Sequence, residues 1–577
     1  MSLSPLLAQL PGGPGGGAPA DLGGPLPIPD IAWSAIAPEL VLFGVGILVL
    51  LLDTAGRQRL QASFVAMGVM LAGCGLVIVE TDQLTLPALV GLGAVAQFAL
   101  TFLWRDRPRM LSAILTGLGF AATLGVVAWQ WVAYLGLVTD SSPEALPLIG
   151  SASLLADMVA VDGLALFTRV TICIAGLVTV PLGYAYLEER RIHRAEYYPL
   201  LLLSATGMTL LASAADFIMV FIAIEILSLS LYVLSGFAKR DLNSQESALK
   251  YFLLGSFSSA LLLYGIAIVY GVTGSTNIAS AGAALASLAV PQGLSLVGMA
   301  LLLVGFAFKT TLVPFHMWTP DVYQGAPTPV TGFMAAATKA AAFAAFIRVF
   351  MGAFAPLQWT WVPVFSVLAV ITMLLGAILT VVQRDLKRML AYSAIAHAGY
   401  VLLAIVSVSR KGVSATLLYL LVYTFMTIGS FGILTLMERR GRKAVSLDDL
   451  RGVGRTEPLA AGLLALFLLS LAGIPGTAGF IAKFAVFTAA IEADQVALVV
   501  VALVSSAVAA YPYIRVIVTM FMEDVVDLAE GRPTLTPART TVGIAVGLAF
   551  CAAATVAIGV QPGVLIDLAR QAGTILS

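Results

Sequence analysis

Seven basic side chains fall inside apolar stretches of this 577-residue chain: Arg169, Lys250, Lys309, Lys339, Arg348, Lys483 and Arg515. Glu225, in Phe-Ile-Ala-Ile-Glu225-Ile-Leu-Ser, is an acid in the same setting. His397 is the one histidine of three placed at the middle of such a stretch. A charge at the centre of a bilayer costs about 2.5–3.5 kcal/mol on insertion scales, so each of these groups needs a partner or a task. Burial disfavours an ammonium and a nearby carboxylate favours it. A lysine balanced between those two effects loads and releases a proton when its partner moves. Glu225, Lys309, Lys339 and Lys483 therefore form a candidate proton relay, with a purely structural ion network as the plainer reading. His397 titrates near neutral pH and is a candidate link between Lys339 and Lys483; its plainer reading is a satisfied core histidine.

The other buried bases have more ordinary explanations. Lys250 follows Glu246 at i+4, a common helix pair, so it divides evenly between structure and relay. Arg348 and Arg515 lie near helix ends and are expected to snorkel to the interface. Arg169 follows Asp162 by seven residues on one helix face, and an Asp162–Arg169 ion pair is expected. His316 belongs to a broken segment, which it structures or whose water it lines, and His193 sits in a loop.

The elements that must position these groups are transmembrane helices. Hydrophobic residues make up 60% of the chain and charged ones 11%, against about 25% charged in soluble domains. Apolar runs of spanning length recur near 32–52, 61–80, 87–104, 110–136, 159–186, 197–214, 217–237 and 246–271. Others follow near 294–324, 328–350, 362–382, 389–408, 414–437, 458–491, 497–520 and 540–561. The expected fold is an all-α polytopic membrane protein of about sixteen helices. Residues 1–30 are rich in Gly and Pro, without Lys or Arg, and read as a disordered tail and not a signal peptide.

The 31 bases balance 31 acids, yet their positions are not neutral. Twenty-one lie in alternate loops, among them Arg190, Arg191, Arg194, Lys239, Arg240, Arg384, Lys387 and Arg388. The opposite loops hold only Arg410, Lys411 and Arg570. Bases gather on the cytoplasmic side, so both termini are expected outside the cytoplasm.

Two stretches are too long for one straight span. Residues 294–324 are broken by Pro314 and Pro320 around Lys309, and 458–491 by Gly473-Ile-Pro475-Gly476 ahead of Lys483. Unwound backbone survives at membrane depth only where protein buries it or it lines a wet cavity. Paired broken helices mark the halves of a transporter repeat. They are spans 9 and 14, five apart, and an odd repeat inverts its second copy. On that register the span of Glu225 corresponds to the span of His397.

Several chemistries are set aside. Zero net charge and scattered bases argue against nucleic-acid binding. Cys74, Cys173 and Cys551 each stand alone in an apolar run and read as packing residues. Gly91-Leu-Gly93-Ala-Val-Ala96 lies in an apolar run with no strand before it, which suits helix packing and not phosphate binding. No metal site and no bound cofactor are expected in this chain.

Several segments carry a more specific signal: Glu225-Ile-Leu-Ser-Leu-Ser-Leu-Tyr-Val-Leu; Ser247-Ala-Leu-Lys250-Tyr-Phe; Pro314-Phe-His316-Met-Trp-Thr-Pro320-Asp-Val-Tyr-Gln-Gly-Ala-Pro327; and Leu471-Ala-Gly-Ile-Pro475 through Gly-Phe-Ile-Ala-Lys483-Phe. Together, over roughly 157–560, they resemble the subunit N family of bacterial proton-pumping NADH–quinone oxidoreductase (respiratory complex I). The resemblance implies two inverted five-helix repeats, at 197–350 and 362–520, each forming a half-channel. They would follow N-terminal helices at 31–136 and a helix at 157–196, and precede a C-terminal helix and tail at 540–577. It implies that Glu225 and Lys309 are the charge pair of the first half-channel, Lys339 the connecting lysine and Lys483 the lysine of the second.

The same resemblance implies a plasma-membrane subunit without a redox centre. NADH, flavin, iron–sulfur clusters and quinone would belong to partner subunits, and the neighbours would be of the M, K and J types. A lysine at 483 speaks against subunit M, which has glutamate there, and the short tail after the last span against the long lateral helix of subunit L. The family pattern has fourteen spans, so an extra pair is expected within 87–136. The expected function is proton translocation coupled to electron transfer from NADH to quinone. The alternatives are an Mrp-type cation/proton antiporter and a structural membrane adaptor.

Overall fold

The computed structural model describes residues 33–54, 108–139, 157–194, 196–288, 293–438, 446–523 and 542–573. The runs at 61–80 and 87–104, the N-terminal tail, Cys74 and the Gly91–Ala96 motif lie outside them.

Among the described residues the chain is helical, without a named strand. Helices α1 (Ala37–Thr54), α2 (Pro108–Thr139) and α3 (Gly163–Arg190) lead into α4 (Tyr197–Ser213), α5 (Phe217–Ser235) and α6 (Leu242–Thr273). A short α7 (Ile278–Ala286) precedes α8 (Gly293–Thr310), α9 (Trp318–Gly325) and α10 (Thr328–Ala353). Then come α11 (Gln358–Val381), α12 (Leu386–Val406), α13 (Arg410–Met437), α14 (Pro458–Ala472) and α15 (Ala478–Glu492). The last are α16 (Val496–Phe521), α17 (Val542–Val560) and α18 (Gly563–Ala572). Eleven described helices are long and apolar enough to cross a membrane, or twelve if the segment bent by 118° before α14 is counted with it. The protein is therefore a polytopic membrane protein.

Aspartates start several of these helices. Asp162, Asp216, Asp241 and Asp385 each accept a backbone amide in the first turn of α3, α5, α6 and α12. A carboxylate there satisfies an orphan donor and faces the positive end of the helix dipole. The layering follows polarity. The spanning windows of α10 and α13 are wholly buried and that of α12 is 94% buried, whereas that of α17 is only 28% buried. A helix apolar on all sides is stable in either place, in lipid or among other helices. The three central helices are also the ones that carry Lys339, His397 and a run of tyrosines.

Both expected breaks are present. α8 ends at Thr310, and the chain reaches α9 through residues 311–317, with Thr311 at φ 65°. α14 ends at Ala472, and Gly473 and Gly476, each at φ 87°, turn the chain into α15. The first is filled by side chains: Trp318 Nε1 donates to the Phe308 carbonyl (3.0 Å) and the Val313 amide to Thr372 Oγ1 (3.1 Å).

Two expectations for the arginines are corrected. Arg169 does not pair with Asp162; its guanidinium meets Glu39 of α1 at 2.8 Å, and also binds Gln130, the Ala35 carbonyl and Ser213. Asp162 is taken instead by Arg348, which does not snorkel: it is 8% exposed and forms a two-pronged bridge of 2.7 and 2.9 Å. A planar guanidinium matches a carboxylate in this way, and a partner across the bundle outcompetes one two turns away. Arg515 donates to the Gln383 carbonyl at 2.6 Å. Lys387, counted among the loop bases, is 2% exposed; it donates to the Ala326 carbonyl and lies 3.8 Å from Glu438. Cys173 and Cys551 are free and buried.

Candidate functional site

Lys309 sits in the last turn of α8, 2% exposed, where the helix stops. Its Nζ donates to Ser228 Oγ of α5 at 2.6 Å and lies over the rings of Tyr232 and Tyr251, 5.5 and 5.6 Å from their centroids. Aromatic faces hold a desolvated cation without neutralising it. Glu225 stands three residues before Ser228 on the same helix, and its Oε1 is buried without a hydrogen-bond partner. Glu225 and Lys309 make no direct ion pair within 4 Å; the Ser228 hydroxyl, which itself donates to the Ile224 carbonyl, receives the lysine instead.

Lys339 interrupts the regular winding of α10. Met334–Thr338 and Val349–Ala353 are π-helical turns, and Lys339 follows directly on the first. A π turn leaves backbone groups misaligned and recurs at functional positions. Lys339 donates to the Ala394 carbonyl of α12 and lies 5.6 Å from the centroid of Tyr423 on α13. It is 2% exposed, and among the described residues no carboxylate comes within ion-pair distance.

His397 Nδ1 is 2.6 Å from Tyr419 OH, and its ring lies 5.2 Å from the ring of Tyr423 and 5.7 Å from that of Tyr400. Lys483, on α15, lies 5.2 Å from the centroid of the same Tyr400. Its Nζ donates to the Ala472 carbonyl and to Ser506 Oγ, both at 2.8 Å. Ala472 is the last residue of α14, so the ammonium faces the negative end of that half-helix. Gly473 is required twice: its φ of 87° suits only glycine, and a Cβ there would stand 2.9 Å from Lys483 Cδ.

The structure thus joins Lys339, His397 and Lys483 into one buried line through Tyr423 and Tyr400. The tyrosines are what sequence reasoning missed. Tyr419 and Tyr423 are four residues apart on a helix that also carries Thr416 and Thr427, a polar stripe at helical spacing in an otherwise apolar segment. Lys250 stands apart from this line. It is half exposed and binds Glu246 and Asp321, each at 2.6 Å, while Asp321 also takes Arg388 at 2.7 Å. That cluster ties α6, α9 and α12 together. A second cluster was not anticipated either: Glu438, 4% exposed, is bound by Arg190 (3.1 Å) and Thr328 beside Lys387. Nearby Asp385 caps α12, and burial pushes its carboxyl above the usual range. Among the described residues no group of three His, Cys, Asp or Glu side chains converges as a metal site.

Comparison with known proteins gives the family of the chain. The family model described as NADH:quinone oxidoreductase/Mrp antiporter, TM, matches residues 214–509. A protein of Parafrankia sp. named NADH-quinone oxidoreductase subunit N is 45% identical over 95% of this chain and 96% of its own length. NADH-quinone oxidoreductase subunit N 1 of Herpetosiphon aurantiacus is 39% identical over 84% of this chain and 95% of its own. A chain of respiratory complex I from Thermus thermophilus superimposes with a TM-score of 0.65 at 35% identity, covering 82% of this chain and 97% of that one.

Proposed function

Because the chain belongs to the subunit N family of NADH-quinone oxidoreductase, we propose that its buried line of lysines, tyrosines and histidine is the path along which it moves protons. The protein is a membrane-arm subunit of a multi-subunit oxidoreductase and acts in proton translocation; NADH oxidation and quinone reduction belong to partner subunits. The observation that carries the residue assignment is the continuity Lys339–Tyr423–His397–Tyr400–Lys483, from α10 through the buried α13 and α12 to α15.

In this reading residues 197–350 and 362–520 are inverted repeats, each contributing a half-channel around a broken helix. Quinone reduction elsewhere perturbs the first half. A change in the field of Glu225 weakens the hold on the Lys309 proton, which passes to Lys339, and thence by His397 and Tyr400 to Lys483. Lys250 sits at the base-rich mouth, where its link to Asp321 and Arg388 positions α9. Flavin and iron–sulfur clusters lie in the partners; the flanking subunits are of the M, K and J types; the full span count is sixteen, with both termini outside the cytoplasm.

Alanine at Lys309 or Glu225, in a complex shown to contain the variant, should lower proton pumping per NADH oxidised. Full pumping by such a complex would overturn the relay. Copurifying flavin and iron–sulfur subunits separate this reading from an Mrp-type antiporter, for which sodium-driven proton exchange by liposomes of the isolated chain is the expected outcome.

A further inference from the structure

At the base-rich end of the bundle lies a cleft of about 520 Å³ that takes no part in the relay. Its walls are the end of α3, the turn from α3 to α4, and the turn from α5 to α6. Arg191, Arg194, Lys239 and Arg240 line it, all exposed and with no carboxylate partner among the described residues. Arg190, deeper in the wall, is already bound to Glu438. The single acid, Asp241, caps α6 through the Asn243 amide. Four unneutralised cations held around one concavity repel one another unless an anion joins them.

A second observation points the same way. His193 lines the cleft with its side chain only 6% exposed, yet its Nε2 has no hydrogen-bond partner; the nearest carboxylate oxygen, on Glu188, is 3.8 Å away. A buried polar atom left open beside a cluster of bases is a place for an acceptor oxygen.

The surroundings select the kind of anion. Leu229 and Val233, one turn apart on α5, are 55% and 52% exposed and lead up to the turn that holds Lys239 and Arg240. Leu242, just beyond it, is 74% exposed. Tyr186 lines the cleft with the Arg190 guanidinium 5.6 Å from its ring centroid, an aromatic of the kind enriched at membrane interfaces. A free phosphate would use the bases and leave this apolar lane idle. A phospholipid uses both.

We propose that the cleft binds the phosphate headgroup of an anionic phospholipid in the leaflet at the base-rich end, held by Arg191, Arg194, Lys239 and Arg240, with its acyl chains along Leu229 and Val233 of α5. The guanidinium forks match phosphate oxygens in pairs, and Lys239 adds a point charge. Basic pockets between transmembrane helices on this side of a membrane suit such headgroups.

The test uses the intact complex carrying Arg191→Gln, Arg194→Gln, Lys239→Gln and Arg240→Gln together in this chain. Native mass spectrometry would count phosphatidylglycerol, phosphatidylcholine of the same acyl chains, and inorganic phosphate retained on the chain. The wild type should retain phosphatidylglycerol over phosphatidylcholine, and the variant should lose on the order of tenfold or more of that retention. Equal retention by the variant overturns the site. Displacement of the lipid by millimolar phosphate overturns the lipid in favour of a free anion. Loss of a neighbouring subunit with lipid retention unchanged shows that the bases serve a protein contact. Should the variant fail to assemble, the wild-type complex decides. A photoreactive phosphatidylglycerol headgroup should label 190–194 and 237–241, and the absence of label there overturns the proposal.

Discussion

The two broken helices solve one problem in opposite ways. In the first, the lysine ends the leading half-helix and turns outward, from α8 to Ser228 of α5, with Glu225 a turn away. In the second, the lysine lies on the trailing half-helix and reaches back across the break to the Ala472 carbonyl. The first lysine is thus held by a rotatable hydroxyl near an ionisable acid. The second is held by a backbone dipole fixed in place by a glycine turn, with tyrosine and serine around it. A neighbour that changes charge can act on the first, whereas the hydrogen bonds of the second come from groups that carry no charge. Within the proposed relay, this difference assigns the drive to Lys309 and the delivery to Lys483.

The largest effect should come from removing each lysine in turn. Lys309→Ala and Lys483→Ala should each lower pumping by on the order of tenfold or more, the range of a lost proton-transfer group. Proton uptake on quinone reduction, followed in reconstituted vesicles, should persist for Lys483→Ala and vanish for Lys309→Ala. Identical behaviour of the two would erase the distinction between driven and delivering halves.

Next come the breaks themselves. Gly473→Ala places a Cβ at φ 87° and against Lys483, and should destabilise by about 1–2 kcal/mol while impairing pumping. Thr311→Gly should stay within about 1 kcal/mol of the parent, because relief of about 1–2 kcal/mol of left-handed strain at φ 65° is offset by the roughly 0.4–1 kcal/mol that a glycine adds to the freedom of the unfolded chain. Thermal unfolding of the assembled complex measures both.

Changes of similar size follow from the partners. Ser228→Ala deprives Lys309 of its one hydrogen bond, a loss of about 1.5–3 kcal/mol for a charged donor. Ser506→Ala leaves Lys483 its carbonyl and should be milder. Turnover and pumping of the two variants, compared at matched assembly, check the order. Smallest of all should be Tyr423→Phe, which keeps the ring under Lys339, set against a clearer slowing for Tyr419→Phe, which removes the hydroxyl bound to His397. Equal effects would mean that hydroxyls and rings contribute alike to the line.

Much of this was legible before any fold. Lys309, Lys339 and Lys483 announce themselves because a base in an apolar run has no local excuse, and proline or glycine beside two of them foretells the breaks. Partnerships were not legible. Asp162 and Arg169 share a helix face, yet the first binds Arg348 and the second Glu39. Lys387 sits among loop bases in the sequence and is buried against Ala326 and Glu438 in the bundle. Lys250 has its neighbour Glu246, as expected, and also Asp321, 71 residues away. The π turn at Lys339 left no mark in its alanine-rich surroundings.

The sequence alone determined that the chain is a membrane bundle, which helices break and which side chains are charged within it, because transfer into lipid is decided residue by residue and helix by helix. Tertiary structure decided what each charge answers to. A buried ion pair or a shared aromatic face depends on distances between helices, and those follow from packing that no window of sequence contains.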